Sequence, residues 1–208
     1  HVETTTAEYT SAVAEAAESS SPRFTFIDSR EFLFADYRRE SLIPRILVKG
    51  EAGTIAGPSK GLKTTIAVDA AISLASSKPT KFLGEFPVSR PARVAVVSGE
   101  SGAATLQETA RRILRAKELQ AEDVFDRLQW CFDLPQFADL AQMLDFAERL
   151  KGFGAEVVFI DPVYLCIAGS VDHANLFEMG EAFRVVAEVL LKAGITPILI
   201  HHANRQLK

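Results

Sequence analysis

From Glu51 onward the chain alternates between two hydrophobic patterns. Short runs of consecutive apolar residues indicate strands buried on both faces, and longer stretches with apolar residues at helical spacing indicate amphipathic helices. The predicted strands are Thr54–Ala56, Arg93–Ser98, Arg127–Phe132, Glu156–Ile160 and Ile195–His201. The predicted helices are Lys63–Ser76, Ala103–Leu119, Phe137–Lys151 and Asn175–Ala193, with Pro79–Val88 as a connection. This alternation predicts an α/β fold, a mostly parallel five-stranded sheet with helices on both faces.

The residues before Glu51 follow neither pattern. Residues 1–22 are mostly Thr, Ala, Glu and Ser, which bury too little apolar surface to offset the entropy of ordering, so we expect a flexible tail. Residues 23–50 contain many Phe, Leu and Ile side chains, and we expect an ordered segment packed on the core. The core itself is expected to span residues 51–208.

Composition narrows the class of protein. The 208 residues are 48% hydrophobic, and the formal net charge is −4 with a pI of about 5.6, so no global basic field favours nucleic acid. Cys131 and Cys166 sit in apolar contexts without a ligand partner at metal-binding spacing, and we expect two buried thiols. No apolar run is long enough for a membrane span. We expect a cytoplasmic fragment of a longer protein, since the chain begins with His1 and carries no secretory signal.

A glycine-containing loop connects the first predicted strand to the first predicted helix. The loop reads Gly57-Pro58-Ser59-Lys60-Gly61-Leu62-Lys63-Thr64, and Thr65 follows. Backbone N–H groups of such a loop and the positive end of the helix dipole converge on one point and bind phosphate there. In the pattern G-x-x-x-x-G-K-[ST], Lys63 neutralises the β- and γ-phosphates and Thr64 offers its hydroxyl to Mg²⁺. Thr65 is placed to reach the α-phosphate. From the loop as a whole we expect a site for ATP and Mg²⁺.

The loop departs from the usual pattern at one position. Leu62 replaces the second glycine and puts a side chain where the backbone normally runs close to phosphate, while Gly61 lies one position earlier. Lys60 adds a positive charge that touches phosphate, contacts a neighbouring subunit or is simply solvated. The alternative for the whole loop is an ordinary Gly-Pro turn before a helix.

Two carboxylates follow apolar strands. Asp161 ends the run Val157–Ile160, and an Asp at the carboxyl end of a parallel strand lies where such sheets bind ligands. We expect it to hold the Mg²⁺ shell; the alternative is a strand-ending turn. Glu100 follows another strand, expected beside that of the phosphate loop, where it can deprotonate the attacking water. Its alternative role is a cap for the next helix, although the flanking Gly99 and Gly102 favour a close approach of substrate.

His201 and His202 close the last predicted strand. A polar side chain there can contact the γ-phosphate and report its loss. Adjacent strand residues point to opposite faces, so only one of the two faces the nucleotide. The alternative is a hydrogen-bonded structural histidine.

Together these pieces resemble the RecA-like ATPases, and within them the RepA branch of plasmid hexameric helicases, an AAA family ATPase. The resemblance covers residues 40–206. It rests on the order and spacing of the matching pieces, which are Leu42-Ile43-Pro44, Gly57–Thr64, Phe82-Leu83-Gly84, Phe86-Pro87-Val88, Val97-Ser98-Gly99-Glu100, Ile160-Asp161-Pro162, the Asp172 and Asn175 segment, and His201-His202-Ala203-Asn204.

The resemblance implies a RecA-like core that hydrolyses ATP at subunit interfaces of a ring-shaped homo-oligomer, a hexamer in this branch. It implies Glu100 as the catalytic carboxylate, His202 as the γ-phosphate sensor and single-stranded DNA as a partner. The chain stops at Lys208, where relatives continue with a DNA-facing loop, further strands and an arginine for the next subunit. We therefore expect a core truncated at its C-terminus.

Three functions remain open. The first is a DNA-associated ATPase or helicase motor, and the second is a RecA-like regulatory ATPase without translocation. The third is a P-loop small-molecule kinase, which Glu100 and the paired histidines fit less well than they fit water activation and γ-phosphate sensing.

Overall fold

A computed structural model describes residues 25–58, 60–167 and 176–202, with side chains of the last range described at Gly180 and from 183 to 201. Its strands are β1 (Ser41–Ile43), β2 (Leu47–Val48), β3 (Gly53–Gly57), β4 (Lys81–Phe82), β5 (Phe86–Pro87), β6 (Val94–Ser98), β7 (Leu128–Cys131), β8 (Val157–Asp161) and β9 (Thr196–His202). Its α-helices are α1 (Ser29–Phe34), α2 (Lys63–Ala75), α3 (Ala103–Ala116), α4 (Leu140–Phe153) and α5 (Leu176–Lys192).

Five of the strands form one parallel sheet in the order β3-β9-β8-β6-β7. The predicted α/β sheet is therefore confirmed. Glu100 follows β6, and β9 and β8 lie between that strand and β3. The expectation that the strand of Glu100 lies beside that of the phosphate loop is wrong, because the last two strands of the chain insert between them.

Each face of the sheet packs against its own pair of helices. Val94, Val96 and Phe159 belong to a buried cluster with α2 and α3, and Val97 and Ile160 belong to a second cluster with α4 and α5. The alternation of side chains along each strand sends successive residues into the two clusters, which is why these strands read as continuously apolar.

The segment before β3 divides at Arg38. The hairpin of β1 and β2 lies in the larger unit, which begins at Arg39, and its Leu42, Ile43 and Leu47 are buried. Residues 25–38 belong to a separate unit, in which α1 begins at the N-cap Asp28 and contains no buried residue. The predicted division into residues 1–22, 23–50 and 51–208 stays a prediction, and the tail lies outside the described residues.

Helix ends differ from the predicted ones where a tertiary contact competes with helical periodicity. Helix α4 begins at Leu140, because Asp139 accepts a hydrogen bond from the Gln142 amide at 3.0 Å. The Phe137 amide donates instead to the Cys166 carbonyl at 2.8 Å, and the ring is buried. The predicted connection Pro79–Val88 contains the hairpin of β4 and β5, closed by a turn with positive φ at Leu83 and Gly84.

The two cysteines differ in environment. Cys166 is buried as predicted, and burial raises the pKa of its thiol to about 12, so it stays protonated and unreactive. Cys131 is only half-buried, and its Sγ lies 3.3 Å from the Asp133 carbonyl oxygen. Within the described ranges, no helix has the length and hydropathy that a membrane span requires.

Four charged side chains connect the first hairpin to the amino ends of the sheet strands. Arg90 donates to both carboxylate oxygens of Glu156, at 3.0 and 2.6 Å, and also to Glu40. Lys49 donates to Glu156 at 2.7 Å. The Arg90 hydrogen bonds, followed by the contribution of Lys49, lower the pKa of Glu156 from its ordinary 4.5 to about 2.

Glu156→Gln is expected to lower the free energy of unfolding at neutral pH by about 1–2 kcal/mol, because the carboxylate pairs with two cations but is still partly open to solvent. The folded-state pKa lies below the unfolded value, so the contribution is complete above pH 4.5 and is lost as the pH falls through about 2. Urea unfolding across this range should show the difference between wild type and variant shrinking below pH 4.5.

Glu148→Gln is the matched control, since Glu148 is exposed on α4 and forms an exposed ion pair with Lys151, 3.6 Å away. This variant should differ from wild type by a few tenths of a kcal/mol at most. A Glu156→Gln difference that stays constant down to the lowest pH would contradict the assignment.

Candidate active site

The first turn of α2 and the carboxyl end of β8 meet at one hydrogen bond. The Thr64 hydroxyl donates to the Asp161 carboxylate across 2.5 Å, and Asp161 is only 3% exposed. The two residues are 97 positions apart in sequence. The structure thus brings the predicted phosphate loop and the predicted metal-site carboxylate together.

Lys63 lies within this site. Its side chain is buried, and its ammonium donates to the Pro58 carbonyl across 2.7 Å, so it turns back over the loop. Its Cδ passes 3.7 Å from the position that a Cβ on Gly57 would occupy. The ammonium is therefore held above the loop by the loop's own backbone.

The amino end of α2 lacks a side-chain cap. Its N-cap, Leu62, makes no side-chain capping hydrogen bond, and the first turn has no acidic residue. By contrast, α1 and α4 are capped by the carboxylates of Asp28 and Asp139. The first amides of an α-helix have no partner within the helix, so this end offers donors to an anion.

The loop conformation explains the displaced glycine. The Gly61 amide donates to the Pro58 carbonyl across 3.2 Å, and a Cβ on Gly61 would lie 2.8 Å from that oxygen. Position 61 therefore needs a glycine, because the Pro58 carbonyl oxygen leaves no room for a side chain. Lys60 and Leu62 both adopt left-handed backbone conformations, with φ of 62° and 60°. The Leu62 side chain is 69% exposed, so it does not fill the loop.

Glu100 lies beyond β6, close to the same strand ends. The N-cap of α3 is Gly102, so Glu100 is not the cap of that helix. A Cβ on Gly99 would lie 2.2 Å from Leu134 Cδ1. The missing side chain of Gly99 thus makes room for Leu134, and a role of Gly99 in the approach of substrate stays a prediction. A Cβ on Gly102, the other flanking glycine, would meet no atom within 4 Å.

Tyr164 stands near both acidic groups and was not predicted from the sequence. It lies in a short 3₁₀ helix, Val163–Cys166, directly after β8. Burial, and then the negative charges of Glu100 and Asp161, raise the pKa of its phenol. Both carboxylates thus act electrostatically on the Tyr164 hydroxyl. Because that hydroxyl belongs to a turn after the strand, hydrophobic periodicity does not reveal it.

The two histidines separate as strand alternation predicts. His201 packs edge-to-face against Phe183 of α5, with ring centroids 6.5 Å apart, so it lies on the α5 face rather than on the face of Thr64 and Asp161. A catalytic role for His201 is a prediction that this position does not favour. The backbone of His202 pairs with Gly57 in the sheet. The His202 side chain, Ser59, Ala203, Asn204 and the Asp172 and Asn175 segment lie outside the described residues.

The oxygen ligands at the site fit a hydrated Mg²⁺. A carboxylate and a hydroxyl, Asp161 and Thr64, leave most coordination positions to water and phosphate oxygens, as is usual for this ion. No cluster of three or more His, Cys, Asp or Glu side chains suited to a transition metal occurs among the described residues.

Two cavities, of about 550 and 960 Å³, border β7 and do not include Thr64 or Asp161. Both have Phe125 and Trp130 in their walls.

Comparisons with known proteins agree with this geometry. A sequence profile of the AAA domain family matches residues 12–206. Among solved structures, the chain is similar to the KaiC-like protein PH0186 from the hyperthermophilic archaeon Pyrococcus horikoshii OT3. The two share 18% sequence identity with a TM-score of 0.52, over 82% of this chain and 74% of that one. At this identity the likeness is one of fold, and it confirms the RecA-like core. A search of curated proteins found no match.

Leu62→Gly is expected to raise the free energy of unfolding by about 0.5–1 kcal/mol. A left-handed conformation costs a leucine roughly 1–2 kcal/mol, which exceeds the added entropy of glycine in the unfolded chain. Urea unfolding in the absence of nucleotide measures the change.

Leu144→Gly is the control, because Leu144 is also an exposed leucine, at 51%, but lies inside α4. There glycine should destabilise by about 1 kcal/mol. If both variants destabilise equally, the left-handed conformation of Leu62 does not carry the strain assigned to it.

Proposed function

This chain belongs to the AAA domain family of P-loop ATPases, and from that premise we propose that it binds ATP with Mg²⁺ at Gly57–Thr65 and hydrolyses it. The observation that carries the proposal is the contact between Thr64 and Asp161, because it joins the phosphate loop to an acidic strand end. Neither group alone distinguishes a nucleotide site from a turn or a strand end. Their meeting across the fold supports a nucleotide site.

The loop residues bind and orient the triphosphate. The uncapped first turn of α2 and the loop amides receive phosphate oxygens, and the Lys63 ammonium exchanges the Pro58 carbonyl for the β- and γ-phosphates. Thr64 and Asp161 would hold Mg²⁺ through oxygen atoms and water, and the ion would offset phosphate charge. In this arrangement Lys63 is already close to where the negative charge of the nucleotide accumulates.

Glu100 is proposed as the general base. It is an exposed carboxylate at the end of β6, and β6 is hydrogen-bonded to β8 so that Ser98 and Asp161 are register partners. Such a carboxylate takes a proton from the water that attacks the γ-phosphate. Burial, and then the charges of Glu100 and Asp161, raise the pKa of the Tyr164 phenol, so it keeps its proton at neutral pH and offers a donor. His202 remains the proposed γ-phosphate sensor, because its backbone pairs with Gly57.

Two variants separate binding from chemistry. Lys63→Ala should lose most of its affinity for ATP, because the ammonium contacts the phosphates. Glu100→Gln should bind ATP like wild type but turn over at least about a hundredfold more slowly. Nucleotide affinity is measured by titration calorimetry and turnover by phosphate release. Circular dichroism checks that both variants keep the fold.

Unchanged ATP affinity in Lys63→Ala would refute the loop assignment. Normal turnover in Glu100→Gln would remove Glu100 from the mechanism and leave the binding site intact. Phosphate transferred to a small acceptor, with none released, would favour the kinase.

A finer proposal is that the ATPase is a DNA-associated motor working as a ring-shaped hexamer. Its support is the resemblance to the RepA branch of hexameric helicases, carried by the order of the motifs between Leu42 and Asn204. The second candidate is a regulatory RecA-like ATPase, favoured by the net charge of −4, which supplies no general attraction for DNA. Both candidates use the same ATP site and differ in the partner.

Single-stranded DNA should stimulate phosphate release by the full-length protein several-fold under the motor hypothesis, and the stimulation should fall with added salt because phosphate contacts release counterions. Steady-state assays with and without DNA measure this, with Glu100→Gln as the background control. An ATPase rate that is insensitive to DNA at low salt would favour the regulatory ATPase.

A further inference from the structure

The Ser98 hydroxyl is a buried polar group without an evident use in the fold. Ser98 is 1% exposed, and within the described ranges its Oγ has no hydrogen-bond partner. The two other buried serines of the described chain, Ser73 and Ser76, each bond to a neighbouring group, at 3.4 Å to Asp69 and 2.9 Å to the Lys78 carbonyl. Buried hydroxyls are normally hydrogen-bonded, so an unpartnered one requires an explanation.

Sheet register places this hydroxyl beside the metal-site carboxylate. Ser98 is the register partner of Asp161 on the neighbouring parallel strand, and both end their strands. Val94, Val96 and Phe159 point into the cluster packed by α2. Because side chains alternate along a strand, Ser98 and Asp161 point to that same face. The Thr64 contact with Asp161 confirms that this face carries the first turn of α2.

We propose that Ser98 is a positioning residue of the ATP site: its Oγ accepts a hydrogen bond from a water of the hydrated Mg²⁺ beside Asp161. The inference rests on the proposed function and adds a residue to it. Mg²⁺ keeps several of its waters in protein sites, and a metal-bound water is a strong donor. The Ser98 hydroxyl is fixed in a strand next to Asp161 and has no hydrogen-bond partner among the described residues. It can therefore accept a hydrogen bond from such a water.

The role is one of support for the ion rather than for the nucleotide. Groups that hydrogen-bond to the shell of a metal typically change its affinity by 10–100-fold when removed. Ser98→Ala should therefore raise the Mg²⁺ concentration for half-maximal binding of a fluorescent ATP analogue by 10–100-fold. Affinity for the same analogue in EDTA should change less than twofold. Ser98→Thr, which retains the hydroxyl, should keep the wild-type Mg²⁺ requirement.

Ser73→Ala provides the matched control. It removes an equally buried serine hydroxyl from α2, one that bonds to Asp69, and it should leave the Mg²⁺ requirement unchanged. Thermal unfolding without nucleotide adds a readout that separates the roles. Ser98→Ala should melt at or above the wild-type temperature, because it removes a buried hydroxyl that the fold itself does not satisfy.

A Mg²⁺ requirement of Ser98→Ala within twofold of wild type would overturn the proposal while leaving the ATP site standing. The proposal would also be overturned if Ser98→Ala did not fold, or if it melted at a lower temperature and lost the same affinity for the analogue with and without Mg²⁺. Either result would assign the hydroxyl to the stability of the fold. Failure of the wild type itself to bind the analogue would instead reject the proposed function, and this inference with it.

Discussion

The hydrogen bond between Thr64 and Asp161 is the constraint on which the site depends. It fixes the start of α2 against the end of β8, and β8 lies in the middle of the parallel sheet. The end of β6 is then fixed as well, because it is paired with β8 up to Ser98 and Asp161. The first turn of α2 and the Asp161 carboxylate therefore meet at the carboxyl end of the sheet.

The two ends of the sheet perform different tasks. At the amino ends, Arg90 and Lys49 compensate the charges of Glu156 and Glu40, and the cluster joins the first hairpin to the sheet. At the carboxyl ends, the N-cap of α2 makes no side-chain capping hydrogen bond, and the Ser98 hydroxyl has no partner among the described residues. A pair of satisfied charges stabilises the fold, whereas unused donors and acceptors are what a nucleotide and its ion require.

Strain in the phosphate loop has a specific origin. The chain closes the turn at Gly61, where a side chain would collide with the Pro58 carbonyl, and places the left-handed conformation at Lys60 and Leu62. In this loop the glycine therefore stands where a side chain has no room, at position 61, and the backbone strain falls on Lys60 and Leu62. The uncapped helix end and the buried Lys63 are present despite that departure.

The sequence by itself determined the α/β class and the approximate places of the five core strands, and it predicted the phosphate loop, because hydrophobic periodicity and a strand-loop-helix motif are local properties. It predicted Asp161 and Glu100 by their place after apolar runs. Only the tertiary structure decided the strand order, the start of α4 at Leu140, the packing of Gly99 on Leu134, and the places of Ser98 and Tyr164. These depend on contacts between distant segments, where packing and register outweigh local preference.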